Sequence, residues 1–461
     1  MIQLKDVSFH YADSKEGVSS INLTVKEGEC IVLTGPSGGG KTTITRLING
    51  LAPSYYAGIL SGSITLNDKD LSQMGQFVIA KQVGSIFQDP KSQFFSSELA
   101  GEVAFACENY GLSVEEIRTR TDNAITSLSL DKLRTRNLDE LSSGEKQKVA
   151  IASVYALWPK IYVCDEPTAN LDKKGTEELT LILKQLKKEG CTIIVAEHRL
   201  SWLVGVADRF VYIREGKILW ERNTEAMQML SKEKIQTYGL REISAKKDRY
   251  YSFSHPYEPF LGICVNQLSC KRKKDEIFTN ISFTAQEGHV TAITGHNGIG
   301  KTSLALVLTG LWKENKGEVY INGKRARGRE RRKQIWYSSN DAETQFFTNS
   351  VSEEVLLNLK RSEAKIEKAR DLLKRLGLYQ YKDVHPAALS GGQKQRLAIA
   401  CGLLSDRRIL IFDEPTSGLD GGNMKIIADV LREAAEQDKV IIVITHDEEL
   451  LCYCDNVITL K

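Results

Sequence analysis

Short apolar runs that end in polar or charged groups recur in the same order in both halves of the chain. Cys30 to Thr34 and Val290 to Thr294 are nearly unbroken apolar stretches, the signature of strands buried on both faces. Each leads into a glycine-rich loop and then a helix-like segment. Further on, Ile161-Tyr162-Val163-Cys164 ends in Asp165-Glu166, and Ile409-Leu410-Ile411-Phe412 ends in Asp413-Glu414. Another pair ends at Ala196 and Ile444, just before Glu197-His198 and Thr445-His446. Strands closing in chemistry-bearing residues and alternating with helices predict a mostly parallel sheet in each half, with ligands at the strand ends. The fold class is α/β throughout, repeated at domain scale.

Length agrees with that repeat. A chain of 461 residues exceeds one ordinary core and suits domains of about 200 residues each. We place a first domain at 1–230, a linker at 231–259 and a second domain at 260–461. Within the linker a mixed Lys/Glu stretch gives way to Arg249-Tyr250-Tyr251-Ser252-Phe253-Ser254-His255-Pro256-Tyr257-Glu258-Pro259-Phe260, whose prolines and aromatics predict a segment that packs. The net charge of +3 is nearly balanced, so no nucleic-acid partner is expected, and the basic run Lys324 to Lys333 is taken as a solvated loop. No apolar run approaches the ~20 residues of a membrane span. Met1-Ile2-Gln3-Leu4-Lys5-Asp6 lacks a signal peptide's apolar centre, so the chain itself is expected to be soluble. Nine cysteines, an odd number with no paired C-x-x-C spacing, mostly sit in apolar runs and are expected as reduced core thiols.

The chemistry begins at the glycine-rich loops. Gly35-Pro36-Ser37-Gly38-Gly39-Gly40-Lys41-Thr42 and Gly295-His296-Asn297-Gly298-Ile299-Gly300-Lys301-Thr302 both fit G-x-x-x-x-G-K-[ST] between a strand and a helix-like stretch, and with the residues that follow, Thr43 and Ser303, are expected to bind ATP. Glycines let backbone N–H groups close around phosphate oxygens, and the helix N-terminus adds its dipole. Lys41 and Lys301 are expected to reach the β- and γ-phosphates of ATP, and the Thr42 and Thr302 hydroxyls to ligate Mg2+. The neighbouring acids Asp165-Glu166 and Asp413-Glu414 would be costly at apolar strand ends without a catalytic or metal-binding purpose.

The order of phosphate loop, glutamine loop, Leu141-Ser142-Ser143-Gly144-Glu145 or Leu389-Ser390-Gly391-Gly392-Gln393, strand-Asp-Glu and later histidine resembles the ATP-binding cassette family over nearly the whole chain. The resemblance implies two P-loop nucleotide-binding domains, each with a RecA-like α/β core, an antiparallel β-subdomain and an α-helical subdomain. It gives Asp165 and Asp413 the Mg2+-organising role, Glu166 and Glu414 the polarisation of the attacking water, and His198 and His446 a γ-phosphate contact. Asp172 and Asp420 match the loop that carries signals between opposed sites. The family's cassettes meet head to tail, so an intramolecular cassette dimer is implied, each site joining one phosphate loop to the other half's signature.

The halves diverge within that plan. Tyr11 takes the place of the aromatic that stacks on adenine and Gln88 that of the glutamine sensing metal and water. Alignment through Gln93-Phe94-Phe95 and Gln345-Phe346-Phe347 puts the shorter Asn340 at the second glutamine position, where it would sense Mg2+ less well. At the second adenine platform Leu268-Ser269-Cys270-Lys271-Arg272 contains no aromatic, and the guanidinium plane of Arg272 is the expected substitute. The signature Ser142-Ser143-Gly144-Glu145 departs from Ser390-Gly391-Gly392-Gln393 at Ser143 and Glu145, and an acid there is expected to repel a triphosphate. A slower second site follows.

Within the family, Val83-Gly84-Ser85-Ile86-Phe87-Gln88-Asp89-Pro90-Lys91-Ser92-Gln93-Phe94-Phe95 with Glu102-Val103-Ala104-Phe105 resembles the ATPases of energy-coupling factor transporters, and Asn340 to Phe347 repeats a version of it. That resemblance implies uptake of a vitamin or transition-metal ion, integral membrane transporter subunits as partners, aromatic loops that receive coupling helices, and a peripheral position on the cytoplasmic face of the membrane. A soluble tandem-cassette translation factor acting on the ribosome is the alternative, as is the ATPase of another importer. Such translation factors usually carry a long, strongly charged helical linker, which this chain lacks.

Overall fold

The computed structural model describes residues 1–12, 16–169, 171–243, 261–272, 275–340, 345–357, 359 and 362–460. Asn170, Asp341 to Thr344, the aromatic linker stretch from Arg249 to Phe260 and the side chain of Ser143 lie outside the described residues. The chain divides near residue 245 into two compact units, each an α/β structure.

In the first unit the central sheet runs in the spatial order Lys217–Asn223, Arg209–Arg214, Cys30–Thr34, Thr192–Ala196, Ile161–Asp165, Val83–Ile86. Its strands are parallel except for the outermost, Lys217–Asn223. Every residue of Cys30–Thr34 is buried. Successive side chains on a strand point to opposite faces, so Cys30 and Val32 enter one apolar cluster while Ile31 and Leu33 enter the other. That explains why the run shows no polar alternation.

A second sheet, antiparallel, is ordered Gly17–Val25, Ile2–Tyr11, Gly58–Leu66, Lys69–Asp70. The strand Ile2–Tyr11 buries Ile2, Leu4, Val7 and Phe9. The spacing from Leu4 to Val7 breaks strict alternation, and a register shift with Asp6 at φ 47° restores the apolar side chains to one face. The helices Leu99–Asn109, Val114–Ser127 and Ser143–Ala156 supply the helical part, through Leu99, Val103, Ala124, Ile125, Val149 and Ile151 of the first cluster.

The second unit repeats the plan with an all-parallel sheet ordered Ile335–Ser338, Ile409–Asp413, Val440–Ile444, Val290–Thr294, Asn456–Thr459. Its antiparallel sheet is Asp275–Gln286, Gly262–Arg272, Lys316–Ile321, Lys324–Arg325. Helices Val351–Val355, Glu363–Arg375 and Gly391–Leu404 match the helical part of the first unit. All nine cysteines are free thiols, most of them buried.

Residues 231–243, expected at the start of a linker, belong to the body of the first unit. Lys232–Thr237 is helical, and Leu240 and Ile243 share an apolar cluster with Met227. Tyr212 stacks on Trp220 with ring centroids 4.8 Å apart and donates its hydroxyl to the Tyr238 carbonyl at 2.8 Å.

The repeat also hides a volume exchange. Where the strand Val83–Ile86 meets the helix Ser143–Ala156, a side chain added at Gly84 would collide with Val154. At the corresponding crossing the strand offers Trp336 and the helix offers Gly402, where an added Cβ would lie 2.5 Å from the indole. Each crossing pairs one bulky residue with one glycine, on opposite elements. We expect Gly402→Val to destabilise the second unit by about 1–3 kcal/mol through overpacking, and Trp336→Gly by about 3–5 kcal/mol through a cavity. Urea unfolding of the double variant should show a loss well below the sum of the single losses; a simple sum would refute the pairing.

Candidate functional site

Parallel registry gathers the candidate residues of the first unit on one edge. Leu33 lies beside Ala196, Ala196 beside Asp165, and Cys164 beside Ile86. The phosphate loop, Glu197-His198, Asp165-Glu166 and Gln88 therefore leave the sheet together, although they are far apart in sequence.

The phosphate loops need their glycines for reasons the geometry makes explicit. Gly35 has φ 140°, and a Cβ there would strike the Ile213 carbonyl. Gly40 and Gly300, at φ 107° and 97°, precede the helices Lys41–Ile48 and Lys301–Leu308. Neither helix has a side-chain N-cap, so its first N–H groups are left for phosphate oxygens. The signature helices contrast with them. Ser142–Glu145 and Ser390–Gln393 each form a reciprocal capping box. The Glu145 carboxylate accepts the Ser142 N–H at 2.8 Å, as the Gln393 carbonyl accepts that of Ser390 at 2.8 Å. Either residue type serves that box, which gives the acid at this position a local reason.

Lys41 is 4% exposed, and its ammonium donates to the Gly35 and Pro36 carbonyls at 3.1 Å each. Burial holds its amine below the usual lysine range against the opposing pull of Glu166. Lys301 makes the same contacts, to Gly295 at 2.8 Å and His296 at 3.1 Å.

Behind each lysine a threonine hydroxyl meets the strand aspartate, Thr42 to Asp165 at 3.2 Å and Thr302 to Asp413 at 2.7 Å. Burial first, and Glu166 next, push Asp165 up to about 6; burial pushes Asp413 up to about 6 as well. These are hard oxygen donors around a buried acid whose nearby cations, Lys41 and Arg46 or Lys301, are outweighed by burial. Among the described residues no group of three or more His, Cys, Asp or Glu could hold a metal by itself. Such a donor set fits Mg2+, which takes one or two protein oxygens and completes its shell with water and phosphate.

The following glutamates have backbones that the sequence did not announce. Glu166 and Glu414 sit at φ 44° and 51°, a left-handed conformation that costs a residue with a Cβ about 1–2 kcal/mol. Each is pinned by its N–H, which donates at 2.8 Å to the Ala196 or Ile444 carbonyl of the adjacent strand.

Side-chain surroundings then separate the units. Glu166 accepts from Gln88 Nε2 at 3.0 Å and lies 3.4 Å from His198 Nε2. Burial raises its carboxyl, yet His198 and then Lys41 outweigh burial and hold it below the ordinary range. In the second unit His446 Nδ1 lies closer, 2.7 Å from Glu414, and the Thr445 hydroxyl donates to the same carboxylate at 3.2 Å. The Tyr337 hydroxyl adds a bond to Asp413 at 3.3 Å. Ser85 takes that strand position in the first unit and is bonded to Asn49 instead. Asn340 is exposed, and the bond from Gln88 to Glu166 has no counterpart there among the described residues.

Tyr11 is held by its hydroxyl to Thr43 at 3.3 Å and to Arg46 Nη1 at 3.0 Å. Its neighbour Tyr56 lies under the Arg46 guanidinium at 3.8 Å. Arg272 stacks on the Trp312 ring at 4.1 Å. Arg46, Tyr56, Trp312 and Tyr337 lie outside the sequence motifs; an arginine in the last turn of the first phosphate-loop helix, and an aromatic about one to two turns after each such helix, are the signals for the first three.

The family model described as ABC transporter matches residues 18–169 and 278–417. A protein of Treponema denticola named for ABC transporter ATP binding is 38% identical over 468 residues, covering 100% of this chain and 95% of that protein. A Bacillus subtilis protein named for HMP/thiamine import ATP binding is 31% identical over 490 residues, covering 100% of this chain and 90% of its own length. A solved model of ribosome-bound archaeal Pelota and ABCE1 contains a chain that superposes with a TM-score of 0.71 at 22% identity, covering 99% of this chain and 76% of that one. This last likeness is one of fold.

Proposed function

The chain belongs to the ABC transporter family of ATP-hydrolysing proteins, and from that premise we propose that it powers an energy-coupling-factor type importer of a vitamin or transition-metal ion, docked on membrane-embedded subunits. One observation carries the docking. The first phenylalanine of each loop pair, Phe94 or Phe346, packs on its unit's apolar cluster, whereas Phe95 and Phe347 are 74% and 81% exposed. Each exposed ring follows closely on Gln88 or Asn340, so a surface suited to an apolar helix is tied to the nucleotide edge. The Bacillus subtilis relative, named for import, supports the direction and substrate class.

In this proposal Lys41 and Lys301 bind the β- and γ-phosphates, His198 and His446 contact the γ-phosphate, and Glu166 and Glu414 orient the attacking water. Thr42, Asp165 and Gln88, or Thr302, Asp413 and Asn340, would hold Mg2+, which supplies charge neutralisation for the phosphate oxygens when bound. The first unit's residues are the better set for rapid turnover. Gln88 already bonds Glu166, while the Glu414 carboxylate is engaged by His446 and Thr445. No helix among the described residues is long and apolar enough to cross a membrane, so the proposal requires separate membrane subunits. Purification of the chain from gently solubilised source cells is expected to bring integral membrane proteins in stoichiometric amount. Recovery with ribosomal particles would favour the translation-factor alternative.

A further inference from the structure

Each unit buries a glutamate that the nucleotide chemistry does not use. Glu102 is 2% exposed and Glu354 is 5% exposed. The Glu102 Oε2 atom accepts the backbone N–H groups of Phe95 and Ser96, both at 2.8 Å. Glu354 Oε2 accepts those of Phe347 and Thr348 at 2.9 Å each, and the Thr348 hydroxyl at 2.8 Å. A buried carboxylate is tolerated only when donors meet it, and here backbone donors come from the loop bearing the exposed phenylalanine. Charge-assisted bonds of this length are among the strong ones.

The first unit adds a second restraint from the same helix face. Phe105 follows Glu102 by three residues, within Leu99–Asn109, and stacks on Phe95 with centroids 4.8 Å apart and planes 10° from parallel. Leu357 follows Glu354 by the same interval and is 40% exposed. A ring as exposed as Phe95 or Phe347 would otherwise sample many orientations on a loop held only at its ends.

We propose that Glu102 and Glu354 are positioning residues that clamp the loop backbone, so that Phe95 and Phe347 are presented in a fixed place to an apolar helix of the membrane partner. The inference rests on the docking function proposed above. Preordering the ring lowers the entropy lost on docking. The clamp also ties Phe95-Ser96 to the helix Leu99–Asn109 and Phe347-Thr348 to the helix Val351–Val355.

The test uses the full-length chain and inside-out membrane vesicles from source cells stripped of it. Paired variants are Glu102→Ala with Glu354→Ala, the same glutamates changed to Gln, and Phe95→Ala with Phe347→Ala. Amide hydrogen exchange at the four clamped N–H groups is expected to quicken by about tenfold or more in the alanine pair. Vesicle binding should weaken by about tenfold, while turnover without vesicles stays at the wild-type rate. The glutamine pair should restore both, because a carbonyl oxygen accepts the same two N–H groups. Unchanged exchange or unchanged vesicle binding in the alanine pair overturns the clamp, as does a glutamine pair no better than alanine. Full vesicle binding by the phenylalanine pair overturns the docking function itself, and the exchange result then stands apart from it. Should the alanine pair fail to fold, Glu102→Asp with Glu354→Asp, which withdraws the oxygen by one methylene, provides the same comparison.

Discussion

Glu166→Gln is expected to remove nearly all ATP turnover by the assembled protein, a loss of about 10²-fold or more as for a missing general base, whereas Glu414→Gln removes a minor share. The geometry within each unit motivates the difference. Glu166 is kept ionised by His198 and Lys41 and carries the Gln88 amide on its other oxygen. Glu414 is bonded to His446 at 2.7 Å and to Thr445, while the Tyr337 hydroxyl competes for Asp413. Steady-state rates of the single variants in the complete complex decide the matter. Equal losses would show that the second unit turns over as fast as the first.

A second substitution should move stability and activity in opposite directions. Asp165→Asn is expected to abolish turnover and to make the nucleotide-free protein more stable at pH 7.5. In the fold the Asp165 carboxyl titrates at about 6 against an ordinary value of 3.8. The folded state therefore holds the proton more tightly than the unfolded chain does. Stability from this group is complete below about pH 4, falls as pH rises toward 6, and is absent above that. The ionised acid at neutral pH accordingly burdens the fold by about 1–3 kcal/mol. Asparagine keeps an acceptor for Thr42 without the charge. At about 2–4 °C per kcal/mol for a unit of this size, the melting temperature should rise by several degrees at pH 7.5 and hardly at all at pH 4. Thermal scans at both pH values test this, and equal shifts at both would remove burial of the charge as the cause. Asp413→Asn should behave likewise in the second unit, since burial raises its carboxyl to a similar value.

Much of the candidate site was legible because its signals are local. A buried strand, the glycines after it and the lysine beyond them are contiguous, so Gly35 to Thr42 and Gly295 to Thr302 could be placed from the sequence. Other features depend on what the strand order brings alongside. The left-handed backbone of Glu166 follows from an N–H finding the Ala196 carbonyl on a neighbouring strand. Tyr337 reaches Asp413 only because their strands are parallel neighbours, with Ser338 beside Phe412. The paired phenylalanines looked alike in sequence, and packing alone turned Phe94 inward and Phe95 outward. The first unit's extension through residue 243 was hidden in a stretch whose charges suggested a linker, yet Leu240 and Ile243 were enough to anchor it.

The exchanged bulk at Gly84 with Val154 and at Trp336 with Gly402 has a lasting consequence. A hybrid taking the strand from one half and the helix from the other would force an indole against a branched side chain, or leave two glycines facing an empty gap. Close packing tolerates neither. At these crossings the two halves are therefore not interchangeable, and a strand or helix grafted from one half into the other is expected to cost stability wherever its partner stays behind.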